Sequence, residues 1–196
     1  MSDIIFPSVK KTAVLLMDFQ NFVLNSILSK SSADRVIAKA SELLNLARNK
    51  NILIIHVTVG FRYGYPEISK HNKMFCEFRD NGLLIPGSKG MEINQNFTPK
   101  IAEPVVIKHR VGAFTETDLD RILRAQGIEN LILAGATTSG VVLSTVRQAF
   151  DLDYKIIVAR DGCIDVKDTV HEFLMENIIS SHADIQDTSD IAAMLN

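Results

Sequence analysis

The chain alternates short, almost wholly apolar runs with segments whose apolar residues recur every three or four positions. Runs of the first kind are typical of strands buried on both faces, and segments of the second kind are typical of amphipathic helices. Such alternation favours a parallel sheet that is covered by helices on both sides. We therefore expect a three-layer α/β/α fold with a six-stranded, mainly parallel, Rossmann-like sheet.

Predicted strands and helices cover most of the chain, with one long exception at residues 60–103. Strands are predicted over residues 12–17, 52–59, 104–108, 130–134, 155–159 and 183–186. Helices are predicted over residues 33–47, 119–123, 141–150 and 170–178, with a last one capped by Thr188. Ser31 or Ser32 can cap the first helix, and Thr117 can cap the second. The stretch 60–103 shows neither pattern, and irregular segments of that length are usually functional or lid-like.

Length and charge narrow the classes of function. A chain of 196 residues fits one domain, here residues 1–196, with one core. The formal net charge of −2 gives no field that would attract nucleic acid or an anionic membrane. The chain's start, MSDIIFPSVKK, lacks the basic and apolar stretches of a signal peptide, and no apolar run approaches the ~18 residues of a membrane span. We therefore expect a cytoplasmic protein without nucleic-acid or membrane partners.

Common motifs for metals and nucleotides are missing. The two cysteines, Cys76 and Cys163, lie far apart and form no CxxC pair, so neither a disulfide framework nor a zinc site is indicated. The turn after the fourth strand carries neither GxGxxG nor a P-loop pattern, so a nucleotide site of either kind is not supported.

Polar residues collect where the predicted strands end. Asp18 follows the first strand, Lys108 and Arg110 close the third, and Asp161 follows the fifth. In open parallel sheets, ligands bind beyond the carboxyl ends of the strands. The turn 135–140 follows the fourth strand and leads directly into a helix, whose free N–H groups make an anion or oxyanion site. These residues are the candidates for a functional site.

Three motifs resemble the isochorismatase-like hydrolase superfamily, which includes cysteine hydrolases such as the nicotinamidases. VLLMDFQN resembles the family strand that ends in Asp-x-Gln, with Asp18 as the catalytic carboxylate. VVIKHRVGAF resembles the strand that delivers the catalytic lysine, here Lys108. LILAGATTSGVV resembles the family's nucleophile loop. The motifs occur in the family's order over most of the chain, and the resemblance implies hydrolysis of a small molecule.

The resemblance breaks at the nucleophile. The family loop reads Gly-x-x-Thr-x-x-Cys-Val, and alignment on Gly135 and Thr138 puts Val141 at the cysteine. Valine cannot attack a carbonyl, but the isochorismatases also lack the cysteine and keep the Asp and Lys. The resemblance also implies an oxyanion site made by the backbone N–H groups of Thr137 and Val141, and a cis peptide before Thr137. We expect a hydrolase that uses an Asp18–Lys108 pair without a covalent intermediate.

Further expectations come from single residues and from the family. Phe19, Arg62, Arg110 and Phe114 are candidates for substrate binding, and Arg62 together with Lys108 indicates an anionic substrate. The nicotinamidase-type metal site needs an Asp-x-His, whereas the second strand offers His56 alone, so we predict no metal and no cofactor. Family members commonly form homo-oligomers, which implies a dimer or tetramer.

Simpler readings compete with each of these roles. Asp18 can cap a helix, Lys108 can be a surface lysine, and the 135–140 turn can be an ordinary connection. Phe19 and Phe114 can belong to the core. For the whole protein, the alternative to a hydrolase is an inactive family member that binds small molecules or regulates. Thiol chemistry at either cysteine is a third hypothesis, for which the sequence supplies no positioned base.

Overall fold

A computed structural model describes residues 8–195, in which six strands form one sheet. The strands are β1 (Thr12–Met17), β2 (Leu53–Val59), β3 (Val105–Lys108), β4 (Asn130–Ala136), β5 (Lys155–Ile164) and β6 (Asp184–Gln186). Their order is β3-β2-β1-β4-β5-β6, and every neighbouring pair is parallel. The predicted α/β/α fold is confirmed. The predictions that rest on residues 1–7 and 196 lie outside the described residues.

Helices cover both faces of the sheet because the strands bury side chains on both. The helices are α1 (Lys30–Asn49), α2 (Lys73–Asp80), α3 (Leu119–Ala125), α4 (Leu143–Asp151), α5 (Asp168–Asn177) and α6 (Thr188–Met194). On β1, Val14 and Leu16 pack on the side of α1 and α6, while Leu15 and Met17 pack on the side of α3, α4 and α5. Within residues 8–195, no helix is long and apolar enough to cross a membrane.

Several predicted boundaries shift for local reasons. Ser29, rather than Ser31 or Ser32, caps α1, since its hydroxyl accepts from Ser32 N at 3.2 Å. The helix predicted from residue 141 begins at Leu143, because residues 138–142 form a wider, irregular helical turn. β5 continues to Ile164 instead of ending at residue 159, because a register shift against β4 adds residues to its middle.

The segment 60–103 is more ordered than its sequence suggests. It contains α2, where Asn72 Oδ1 accepts from Phe75 N at 3.2 Å and starts the helix. Phe61, Phe75 and Leu84 form the centre of a small separate hydrophobic cluster. The expectation of a wholly irregular stretch was therefore wrong, although the segment does lie over the carboxyl edge of the sheet, where Val59 joins the same cluster.

A buried ionic cluster fixes the start of β3. Glu103 accepts from Arg48 Nε at 2.7 Å and Nη2 at 2.8 Å, which ties the approach to β3 to the end of α1. The same carboxylate lies 3.0 Å from His56 Nε2 on β2. The hydrogen bonds from Arg48 lower the pKa of Glu103 to about 2, although burial opposes them. His56 is therefore a packed strand histidine within this cluster.

We expect Glu103→Gln to lower the free energy of unfolding by about 2 kcal/mol at pH 7, a typical value for hydrogen bonds to a charged group. Because the pKa is lower in the folded state, the stabilisation is present above about pH 4.5 and is lost as the pH falls toward 2. Urea unfolding of parent and variant between pH 3 and 7 measures this. Glu129→Gln is the control, since that carboxylate pairs with Lys11 on the surface. A difference independent of pH would contradict the prediction.

Candidate active site

The candidate site lies where the strand order reverses, between β1 and β4. The chain runs from β1 toward β3 on one side, and from β4 toward β6 on the other. Connections that leave in opposite directions open a crevice at the carboxyl ends of the two central strands. Gly135 lets these strands approach here, because a Cβ on it would lie 2.7 Å from Met17 O. Asp18 follows β1 immediately, and the 137–142 turn follows β4.

A buried ion pair lies in this crevice. Lys108 Nζ is 2.9 Å from Asp18 Oδ2 and also donates to Arg110 O at 3.2 Å. Asp18 has a φ of 58°, a left-handed conformation that Asp tolerates better than most residues. Its second oxygen, Oδ1, is buried and has no hydrogen-bond partner among the described residues. Lys108 thus contacts one oxygen of the Asp18 carboxylate, and the other oxygen is free to hydrogen-bond to a ligand.

Burial dominates the electrostatics of the pair. It raises the pKa of Asp18, and the nearby Lys108 ammonium only partly opposes this rise. A buried carboxyl prefers its neutral form because a low-dielectric surrounding penalises the charge. Asp18 is thereby moved toward the range in which a carboxyl group exchanges protons near neutral pH.

The 137–142 turn supplies backbone N–H groups next to the ion pair. Thr137 O accepts from Gly140 N and Val142 N, both at 3.2 Å, and Ser139 N donates to Asp165 Oδ2 at 2.6 Å. These bonds occupy three of the turn's N–H groups, so the candidates for contacting a ligand are those of Thr137, Val141 and the intervening Thr138. The cis peptide expected before Thr137 is present between Ala136 and Thr137.

The ion pair and the turn open onto one small cavity of about 100 Å³. Asp18, Lys108, Thr137 and Val141 all line it. The remaining wall is mainly apolar and comes from the chain after β1, the 60–103 segment and the ends of β2, β3 and β4: Phe22, Val23, Ile27, Val59, Met74, Phe75, Phe78, Val111, Ala136 and Gly140. The structure therefore brings together four of the predicted site residues in a mainly apolar recess.

The other predicted substrate-binding residues lie elsewhere. Phe19 is buried and stacks on Phe97 at 4.2 Å between ring centroids, and Phe114 stacks on Tyr154 at 5.9 Å. Both aromatic rings therefore belong to packing rather than to the cavity wall.

The two arginines are also turned away from the cavity. The Arg62 guanidinium pairs with the Glu67 carboxylate on the surface. The Arg110 guanidinium donates to the carbonyls of Glu67 and His109. Arg110 contributes only its own carbonyl, which accepts from Lys108.

Gln20 is a site residue that sequence reasoning did not single out. Its side chain is fully buried, donates to Val59 O at 2.9 Å and to Met91 O at 2.8 Å, and accepts from Val59 N at 2.8 Å. These bonds join the chain after β1 to the end of β2 and to the 60–103 segment. The Asp-x-Gln motif contained the signal, since a glutamine buried only three residues after a buried strand requires partners for all its polar atoms.

A larger cavity of about 660 Å³ opens between α1, β5 and α5, away from the ion pair. Its arginines are already paired, Arg35 with Asp168 and Arg160 with Glu172. Asp161, expected near the site, instead accepts from Thr188 N at 2.8 Å and caps α6. The smaller cavity is therefore the candidate active site.

Neither cysteine is placed for catalysis. Cys163 is buried, and burial raises the pKa of its thiol to about 12, whereas a nucleophilic thiol needs a lowered value. Cys76 lies on α2 and its Sγ is 3.4 Å from Ser69 O. Among the described residues, no three His, Cys, Asp or Glu side chains are grouped so as to hold a metal ion.

We expect Lys108→Met to lower the free energy of unfolding by about 3–5 kcal/mol, because it leaves a buried carboxyl without its partner. The raised pKa of Asp18 then rises further. The free energy of unfolding falls as the pH rises from 3.8, where Asp ionises in the unfolded chain, to the raised pKa of Asp18 in the folded chain. The destabilisation caused by Lys108→Met is therefore larger at pH 8 than at pH 5. Urea unfolding at both pH values measures this, with Lys108→Met/Asp18→Asn as control. Equal pH dependence in the two variants would contradict the prediction.

The sequence and the structure were compared with those of known proteins, and the matches agree on one family. A family model for the isochorismatase domain matches residues 12–190. Maleamate amidohydrolase from Pseudomonas putida is 26% identical over 188 residues, 95% of this chain and 87% of its own. Ureidoacrylate amidohydrolase RutB from Stutzerimonas stutzeri is 29% identical over 78% of this chain and 69% of its own. The crystal structure of a cysteine hydrolase from Pseudomonas syringae pv. phaseolicola matches with a TM-score of 0.89 at 19% identity, covering 100% of this chain and 98% of that one. The chain belongs to the isochorismatase family of hydrolases.

Proposed function

We propose that this chain hydrolyses a small metabolite by acid–base catalysis at Asp18, with Lys108 as its charge partner and without a covalent intermediate. The observation that carries the proposal is the buried Asp18–Lys108 pair, 2.9 Å apart, at the cavity wall. A pair of opposite charges is costly to desolvate and contributes little net stability. We attribute the position of this pair beside a cavity, with one oxygen of the Asp18 carboxylate unpartnered, to a catalytic role.

The raised pKa of Asp18 supports a role as proton donor. With a vinyl ether as substrate, protonated Asp18 gives its proton to the terminal carbon of the double bond, and an oxocarbenium ion forms. Water adds to this ion, and the proton it loses returns to the Asp18 carboxylate. The resulting hemiketal breaks down to a carbonyl compound and an alcohol. Lys108 stabilises Asp18 during the interval in which the carboxylate is charged.

Absence of a nucleophile at position 141 is the second part of the proposal. Val141 is buried, lines the cavity and has no group that can attack a substrate. We assign the position of the family's cysteine to this residue. With an amide or ester as substrate, its backbone N–H and that of Thr137 are the proposed donors to the oxyanion that develops when water adds to the carbonyl, a role that does not depend on the side chain.

The cavity constrains the substrate class. Its wall is mainly apolar and its volume is about 100 Å³, so the group held there is small and largely uncharged. Because Arg62 and Arg110 are engaged elsewhere, Lys108 is the cation available to an anionic group. Amides stay in the substrate panel because two relatives are amidohydrolases.

The function is tested by assaying the parent and Asp18→Asn on vinyl ethers, amides and esters of small acids. We expect turnover in one class and a fall in kcat of about 10²–10⁴-fold in Asp18→Asn, the range typical of general acid–base catalysis. As a proton donor with a raised pKa, Asp18 should give activity that declines as the pH rises through that pKa. No turnover in any class, or turnover unaffected by Asp18→Asn, would contradict the proposal.

The assignment of position 141 has its own test in Val141→Cys. A thiolate there would lie beside Lys108 and the turn's N–H groups, which lower a thiol pKa. We expect iodoacetamide to alkylate position 141 faster than Cys76 at pH 7, measured by mass spectrometry of peptides. Cys76 serves as the internal reference, and preferential reaction at Cys76 would contradict the assignment.

A further inference from the structure

The turn that carries Thr137 and Val141 is held from behind by residues of β5 and α5. Thr138 Oγ1 lies 2.8 Å from His171 Nδ1, and both side chains are buried. Asp165, directly after β5, accepts from Ser139 N at 2.6 Å and from Val166 N at 2.8 Å. Neither Asp165 nor His171 lines the cavity that contains Asp18, so neither would contact a substrate there.

We propose that Asp165 and His171 are positioning residues, which fix the 137–142 turn so that the N–H groups of Thr137 and Val141 face the Asp18–Lys108 pair. The inference rests on the proposed function, because it assigns these two residues to the same oxyanion site. It concerns the geometry of the turn rather than any contact with the substrate.

The turn needs outside support because its own backbone is irregular. Gly140 has φ −96° and ψ −105°, which is not a helical conformation, so a regular ladder of hydrogen bonds does not fix the segment. A side chain at this position would also require Thr137 to shift, since a Cβ would lie 2.8 Å from Thr137 Oγ1. Two external bonds, one to the backbone of Ser139 and one to the side chain of Thr138, therefore determine where the adjacent N–H groups point.

The two bonds differ in strength and in charge. The Asp165 carboxylate accepts two backbone N–H groups, a charge-assisted arrangement that joins the end of β5 to the turn after β4. Burial lowers the pKa of His171, so its imidazole is neutral near pH 7 and forms a neutral bond with the Thr138 hydroxyl. The pair holds the turn by directional bonds at two successive residues.

The test uses Val141→Cys as a reporter of turn geometry, because the thiol pKa there depends on the N–H groups that face it. Alkylation by iodoacetamide is followed from pH 5 to 10 in this background and after adding Asp165→Ala, His171→Leu or Thr138→Val. We expect each addition to raise the apparent thiol pKa toward the ordinary value of about 8.5. The alkylation rate at pH 7 then falls roughly tenfold for each unit of increase.

Matched controls separate positioning from stability. Asp161→Ala removes another β5 carboxylate that accepts a backbone N–H, but at Thr188 on α6. His182→Leu removes a half-buried histidine whose Nδ1 lies near Ile178 O. Both controls lower the melting temperature without changing the thiol pKa. His171→Asn, which keeps a polar atom close to the Nδ1 position, restores the lower pKa.

Two outcomes would overturn the proposal. One is a thiol pKa that is the same in the Asp165, His171 and Thr138 variants as in the controls. The other is additive effects of Thr138→Val and His171→Leu, since two partners of one bond should show no further effect when combined. If a substrate is found, these variants should lower kcat more than they change KM. Loss of the proposed function, seen as turnover unaffected by Asp18→Asn, is a separate result, because the thiol titration is read without activity.

Discussion

The ion pair between Asp18 and Lys108 joins strands that are not neighbours, because β2 lies between β1 and β3. Adjacent strands are about 4.8 Å apart, so the two backbones are separated by roughly 9–10 Å and a long side chain must cross the end of β2. The flexible four-carbon stem of lysine spans this distance and can be buried along apolar surface. The Gln20 side chain donates to Val59 O and accepts from Val59 N, so both backbone polar groups of the last residue of β2 have a hydrogen-bond partner near this crossing.

The 60–103 segment forms part of the apolar wall around the pair. Its Phe75 and Phe78 line the cavity from the side opposite the sheet, and Phe75 packs edge-on against Phe61 at 5.3 Å between ring centroids. These rings form part of the apolar wall near Asp18, where burial is the largest influence on the pKa of the carboxyl. The packing of an outer segment and the acidity of the carboxyl are therefore coupled, and a change that opened the segment would lower the Asp18 pKa.

The parts predictable from sequence were those with local signals. Buried parallel strands have continuous apolar sequences, so β1 was correctly predicted over residues 12–17. The ends of the predicted strands then indicated Asp18 and Lys108 as candidate site residues, which the structure pairs. α2 was missed because only eight residues separate its capping Asn72 from Asn81, too few for a clear helical period. The roles of Gln20 and His171 depend on partners 39 and 33 residues away, which no local pattern contains.

The same limit explains why Phe19 and Phe114 were assigned to substrate binding. Each lies near a candidate catalytic residue along the chain, but both follow the end of a strand, where nearness in sequence does not determine the direction of a side chain. Phe19 turns into the α1 side of the sheet beside Phe97, while Asp18 faces the cavity. Position 141 differs, because under the proposed function its role depends on the backbone. The N–H group faces the ligand whichever side chain is present. On that proposal, a valine there forms part of the apolar wall and removes the covalent step, while the hydrogen bonds from Asp165 to Ser139 and between His171 and Thr138 do not involve the side chain at 141.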